Sequence, residues 1–344
     1  MKIRPKIWHK TLLGLLLGGS VMVGCSTSPV EQKQTAEVTE LRYQSYPGLV
    51  SLPELAQDLG YLGDIQLNYV GSVQGGPQDL LTLVAGDVDI ASAFNGAVVK
   101  VIAADLDIVP VVASYGSNEE QNVGFYVLEG SEIRTAHDLI GKKVAVNTFG
   151  AHYDFVLKDY LARNGLTQKE ISQVELIMLP PISSEQALRK KQVDVAVLTN
   201  ILEKIALKHG GVRRVFADTD LYGSFTAGSY SMRKDFIQQN PQVTKTFVTG
   251  VAKAHEWLQV TPIDEVRARF SQIIRSRQRN ENLALIPYFS SYGVSEKGGL
   301  QKAADFKPWI DLLVKEKKLK PQQLNPNTIY SNAFNSYASP LNEN

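Results

Sequence analysis

The sequence predicts an α/β protein built on parallel sheets with crossover helices, and three observations carry that expectation. From Leu41 onward, short apolar runs alternate with amphipathic stretches, the pattern of repeated strand–helix–strand units. A weak internal echo sets Leu83-Val84-Ala85-Gly86-Asp87-Val88-Asp89-Ile90-Ala91 against Leu188-Arg189-Lys190-Lys191-Gln192-Val193-Asp194-Val195-Ala196. Both copies read as a helix end, a tight turn and a Val-Asp-x-Ala strand entry. Of the 344 residues, 44% are hydrophobic and 21% charged, which argues against a disordered or fibrous chain.

In the first round, Leu41–Gln44 is predicted as a strand and Leu52–Leu59 as a helix stopped by Gly60. Ile65–Val70 alternates with period two and reads as a strand. Pro77 opens a helix that Gly86 ends. Val88–Ala93 reads as a buried strand, Asn95 as the cap of a helix to Ala104, and Ile108–Ser114 as another strand. The second round runs through strand Gly124–Leu128, helix Ala136–Ile140 and strand Lys143–Val146. A helix over Ala151–Asn164 places Tyr153, Val156, Leu157, Tyr160 and Leu161 on one face, and Gly165 ends it. Strand Val174–Met178, helix Ser184–Lys191, strand Val193–Leu198 and helix Ile201–Lys208 follow. Beyond Ser229 the chain is predicted to be largely helical, including Pro241–Leu258 and Phe306–Val314.

Charge and chemistry exclude several classes. Lys plus Arg is 36 against 35 for Asp plus Glu, so no field favours nucleic acid. Cys25 is the single cysteine, which excludes an internal disulfide and a cysteine metal cluster. There is no Gly-x-Ser-x-Gly, no phosphate loop and no Gly-x-Gly-x-x-Gly. Beyond residue 25 the histidines are His137, His152, His209 and His255, too scattered for a zinc pair. No catalytic residue, metal or cofactor is expected.

The N-terminus reads as an address. Lys2, Arg4, Lys6 and Lys10 form a basic segment, and Leu12–Val23 is apolar over 12 residues. That is shorter than the roughly 20 residues a spanning helix needs and suits a secretory signal. Met22-Val23-Gly24-Cys25 resembles a bacterial lipobox, with Met22 where Leu or Val is usual. The resemblance implies a signal peptide over 1–24, lipid on Cys25 and a polar tether over 25–39. The alternative is an ordinary signal peptide with a chance cysteine.

Several stretches taken together resemble the substrate-binding lipoproteins of ABC importers in the nitrate, sulfonate, taurine and thiamine-precursor group. They are Leu41–Gly48, the Gly86-Asp87-Val88-Asp89-Ile90-Ala91 passage, Asp138-Leu139-Ile140-Gly141-Lys142-Lys143-Val144 and the Ala151-His152-Tyr153 helix start. Lys234-Asp235-Phe236 with Asn240-Pro241-Gln242-Val243, and Trp309-Ile310-Asp311 with Leu319-Lys320-Pro321, also fit. The resemblance spans about 40–335. It implies a two-lobed fold of the periplasmic-binding-protein type II class, with a two-strand hinge. Lobe 1 would comprise 40–121 plus 223–344 and lobe 2 would comprise 122–222. It further implies a monomer that captures a small molecule and passes it to an importer's permease and ATPase at the cell envelope, outside the cytoplasm. A biosynthetic enzyme on the same fold and a sensing lipoprotein without a transporter are the competing readings.

Open α/β sheets bind ligands at the carboxyl ends of their strands, where helix N-termini favour anions. Candidate binding residues are therefore Tyr46, Gly76, Phe94, Asn95, Thr148, Gly150, His152 and Tyr153, with Thr199 and Asn200 at the equivalent strand end of lobe 2. Each also has a structural reading, as turn, cap or core. Family members that bind sulfonates commonly place two or three hydroxyls before the lobe-2 helix. Thr148-Phe149-Gly150-Ala151 has one, and the tryptophan often found after the second Val-Asp-x-Ala strand is absent. Glu119, near the first crossing between lobes, would disfavour a bare anion. A small organic molecule with one anionic head group is expected, not an inorganic ion.

Overall fold

The computed structural model describes residues 36–338 apart from Asn280. The expected signal segment, Cys25 and the tether as far as residue 35 lie outside the described residues. In chain order the first elements are β1 (Glu40–Ser45), α1 (Leu52–Asp58), β2 (Gln66–Ser72), α2 (Gly76–Ala85), β3 (Ala91–Phe94), α3 (Asn95–Ala103) and β4 (Ile108–Ser117). Next come β5 (Val123–Leu128), β6 (Lys143–Val146), α4 (His152–Arg163), α5 (Gln168–Ile171), β7 (Glu175–Met178), α6 (Pro181–Arg189), β8 (Val195–Thr199), α7 (Asn200–His209), β9 (Val212–Ala217) and α8 (Asp218–Tyr222). The chain continues with β10 (Phe225–Arg233), α9 (Lys234–Gln239), α10 (Pro241–Val260), α11 (Ile263–Ser276) and α12 (Lys307–Lys315).

The echo has a structural basis. Asp89 Oδ2 accepts the Arg42 backbone N–H of β1 at 2.9 Å, and Asp194 Oδ2 accepts the Lys143 N–H of β6 at 2.8 Å. Each aspartate returns its own N–H to the same residue's carbonyl. The Val-Asp-x-Ala passage thus pins each incoming strand to a parallel neighbour. The turn ahead of it is left-handed in both copies, at Gly86 (φ 82°) and at Lys191 (φ 55°). Lysine pays the steric cost there that glycine avoids.

The sheets are mixed, which corrects the expectation of parallel pairing. β7-β6-β8-β5-β9 form one sheet in which β6 runs parallel to β7 and β8, while β5 is antiparallel to β8 and β9. Its strands come from residues 123–217, and alternate side chains enter opposite layers. Phe125, Val144, Val195 and Val197 pack under α4, whereas Ala145, Ala196 and Leu198 pack with Ala187, Leu188 and Ala206 of α6 and α7. β1 and β2 form a parallel pair, and β3-β10-β4 an antiparallel sheet. β10 runs past Ser229, and its last four residues lie where a largely helical chain is expected. Its Thr226-Ala227-Gly228-Ser229-Tyr230-Ser231 run is buried on both faces, so small residues replace the alternation that betrays a half-exposed strand.

A buried ion cluster anchors α1 to the segment after α11. Glu54 closes a capping box with Ser51, and its carboxylate accepts Arg277 Nη1 at 2.9 and 3.0 Å, Arg279 Nη1 at 2.9 Å and the Tyr43 hydroxyl at 2.7 Å. Arg277 also reaches Glu281 at 2.5 Å, and the Arg279 guanidinium lies 3.4 Å from the Tyr69 ring centre. Removing one member of such a group strands buried charge. Glu54→Ala is expected to lower the unfolding free energy by about 3–5 kcal/mol, measured by urea titration at pH 7. A loss below about 1 kcal/mol, the range of an exposed pair, would show that both guanidiniums find other partners.

Candidate functional site

The two passages between the β3–β10–β4 sheet and the five-stranded sheet lie side by side. One leaves β4 at Ser117 and enters β5 at Val123, and the other leaves β9 through α8 and returns as β10. The wholly buried Asp218, at the start of α8, joins them. Its Oδ2 accepts the Ser117 hydroxyl at 2.5 Å and its Oδ1 the Val123 N–H at 3.0 Å. His152 Nε2 lies 3.1 Å from the same Oδ2 but off the line of a hydrogen bond. The serine and the histidine both face the carboxylate and not each other. The Asp218 carboxylate thereby ties the two passages together.

The loops at the strand ends meet across this junction. Asn147 Nδ2 donates to the Gln74 carbonyl at 3.3 Å. Gly75 packs so closely against the Thr148 methyl that a Cβ on it would collide, and a Cβ on Gly76 would strike Ala93 at 2.7 Å. Gly150, at φ 71°, takes the left-handed turn that sets up α4. Tyr46, Gly76, Thr148, Gly150, Tyr153 and Thr199 of the candidate set gather at these strand ends. Tyr46 is 37% exposed and Phe149 53% exposed.

Three phenols, Tyr46, Tyr115 and Tyr153, are close enough to act on one another's ionisation. Burial pushes all of them up, Tyr153 to about 12 and the other two further. Tyr153 also lies against Thr199 and Asp218. Beneath Tyr46 sits Asp79, in the first turn of α2 and 2% exposed. Its Oδ2 accepts the Ser92 N–H at 2.7 Å, while Oδ1 has no partner. Burial raises this carboxyl to about 7.

Other candidates are committed to the protein itself. Asn95 does not cap α3; it lies inside the first turn, fully buried. Its Nδ2 donates to the Thr226 and Asp305 carbonyls at 3.1 and 3.2 Å, and its Oδ1 accepts the Ser229 hydroxyl at 2.6 Å. That side chain has no group left for a ligand. Phe94 is core, stacked on His152 at 4.5 Å and against Trp309 at 4.6 Å. His152 is therefore held between Phe94, Phe225 and Asp218. Asn200 spends its Nδ2 on Gln121 Oε1 at 3.1 Å and Ser290 Oγ at 2.6 Å, leaving its Oδ1 unpartnered. Thr199 occupies the cap position of α7 without a side-chain cap bond. Glu119 is exposed. Sequence reasoning missed Asp79, Tyr115 and Asp218. The signal for Asp79 was a carboxylate set directly before the buried Leu80 on a helix that opens Gly-Gly-Pro.

Among the described residues no helix is long and apolar enough to cross a membrane. The comparisons with known proteins agree with this architecture. The alkanesulfonate-binding protein SsuA of Xanthomonas axonopodis pv. citri, solved bound to MOPS, superposes with a TM-score of 0.63 at 20% identity, over 86% of this chain and 98% of that one. The periplasmic aliphatic sulphonate binding protein SsuA of Escherichia coli gives 0.59 at 22% identity, over 90% and 99%. The periplasmic nitrate-binding protein NrtA of Synechocystis PCC 6803 gives 0.63 at 14%, over 83% and 84%. At these identities the likeness establishes the fold, that of the periplasmic binding proteins. No curated protein matches the sequence. The NMT1/THI5-like family profile matches residues 54–264, more than half of the chain and the part that contains both passages and the Gly75 and Thr148 loops, and the protein belongs to that family.

Proposed function

We propose that this protein is a non-catalytic, extracytoplasmic solute-binding protein that captures a small polar organic molecule in the cleft and delivers it to an ABC permease and ATPase. In this reading residues 40–121 with 223–344 form one lobe and residues 122–222 the other, moving about the paired passages at Asp218. The carrying observation is that pairing. Two adjacent backbone connections, tied by one buried carboxylate, leave a single axis about which the facing loops can separate. The binding roles in the printed names of the sulfonate and nitrate proteins support the reading. Tyr46, Gly76, Thr148, Gly150, Tyr153 and Thr199 are the proposed contacts, joined by Tyr115 and Asp79. An anionic head group has less support, because Asp154 Oδ2 already accepts the Gly150 N–H at the start of α4, at 2.7 Å.

Anchoring through lipid on Cys25, after removal of residues 1–24, completes the proposal, which takes the protein to be a monomer held at a membrane. Several acyl chains on one residue hold firmly where one would not. Cys25→Ser is expected to move the protein from the membrane fraction to the soluble fraction. Intact-mass measurement that finds an unmodified N-terminus elsewhere would refute the anchor. Closure requires that a ligand bind the closed state better than the open one. X-ray scattering is therefore expected to show compaction with any compound that raises the melting temperature. An unchanged scattering profile with such a compound would sink the cleft reading.

A further inference from the structure

Helix starts that face a cleft usually invite anions through their free N–H groups. Here the charges oppose that bias. The first turn of α2 holds Asp79, that of α4 holds Asp154, and Asp218 stands fully buried at the junction. No guanidinium or ammonium acts on the ionisation of Tyr46, Tyr115, Tyr153 or Asp79 among the described residues. Asp154 has its cation, Lys158 at 2.6 Å; Asp79 has none.

The unpartnered buried atoms are an independent observation. Asp79 Oδ1, Asn147 Oδ1 and Asn200 Oδ1 are all acceptors. The two amides are oriented by bonds from their Nδ2 atoms to Gln74 and Gln121, so neither can turn its amide without losing a bond. An unpaired buried acceptor costs about 1–3 kcal/mol, and an ionised one more. Asp79 Oδ1 in particular has neither a donor nor a cation, for the ammonium near these loops, Lys100 beside Gly150, faces Asp154 instead. Aromatic rings beside a carboxylate are a favourable environment for a cationic nitrogen; Tyr46 lies beside Asp79, and Tyr115 and Tyr153 lie next to Tyr46 on the side of Asp218.

We infer that the cleft takes an organic cation, an ammonium, amidinium or protonated nitrogen heterocycle, with Asp79 as its counter-ion and Tyr46, flanked by Tyr115 and Tyr153, as its aromatic wall. The inference rests on the cleft reading above and assigns the charge class of its ligand. Asp79 meets the Ser92 N–H, Tyr46 and Tyr230, and neither phenol ionises near neutrality. Its carboxyl, raised to about 7 by burial, is thus neutral at low pH and ionises when a cation arrives. Cation affinity falls as pH drops below 7. Because the folded value exceeds the unfolded one, ligand-free stability is full below about pH 4 and declines as pH rises through 7.

The test uses the full chain in detergent, with thermal shift and titration calorimetry against ethanolamine, choline and 4-aminopyridine, and against isethionate, ethanesulfonate and nitrate, at millimolar concentration. At least one cation is expected to raise the melting temperature, and Asp79→Asn to weaken it about 10- to 100-fold. Asp79→Asn is also expected to raise the ligand-free melting temperature at pH 8 but not at pH 5, which shows that the variant folds and that a buried charge is gone. Asp79→Glu should keep part of the cation response. A response to anions alone, silence toward every cation, or a cation response unaltered in Asp79→Asn would each overturn the inference. An anion that both binds and compacts the protein overturns the charge class and keeps the cleft. Binding without compaction overturns the cleft itself.

Discussion

A single carboxylate, that of Asp218, governs how the two sheets stand relative to each other. It is wholly buried and receives one donor from the end of β4 and one from the start of β5. It lies itself on the returning connection, so both passages of the chain converge on one point. Burying a carboxylate is costly unless its oxygens are met, and the protein meets them with groups from the outgoing connection. His152 then approaches from α4 and stacks on Phe94. Phe94 in turn packs on Trp309, whose indole donates to the Asp305 carbonyl. From the junction the order spreads outward through aromatic contacts to α12, the last helix described. The facing loops on either side take their places from that junction.

The parts of the fold that were legible in the sequence are those with a local cause. The Val-Asp-x-Ala echo could be read because each aspartate performs the same local task, returning a backbone bond to a neighbouring strand. Helix stops at Gly60, Gly86 and Gly165 were legible because left-handed backbone favours glycine there. β10 was not, since a strand flanked by partners and buried on both faces carries Thr, Ala, Gly and Ser in place of an alternating pattern. Its antiparallel direction follows from the chain's return through the junction, a long-range fact with no local trace.

The site divides in the same way. Loops after strands were visible as loops, so Tyr46, Gly76, Thr148 and Gly150 were placed where they meet. Asn95 looked like a cap because asparagine before an apolar run often is one, yet the bonds that occupy it come from residues far along the chain, Thr226, Ser229 and Asp305. Asp79 hid for the opposite reason. An acidic residue in a helix's first turn is an ordinary surface choice that complements the helix dipole, and its one local mark, a place directly before the apolar Leu80, does not distinguish a buried carboxylate from an exposed one.

The contact between Gly75 and Thr148 sets a mechanical limit on the molecule. The backbone at Gly75 is extended, with φ −170° and ψ 153°, so its own geometry accepts any residue. Only Thr148, across the gap, forbids a side chain. Even one methyl at position 75 would act as a doorstop, leaving each half folded and felt solely where the two loops touch. On the two-lobe reading proposed above, the absent side chain lets the halves seat fully, and position 75 is the place where a small wedge would hold them ajar.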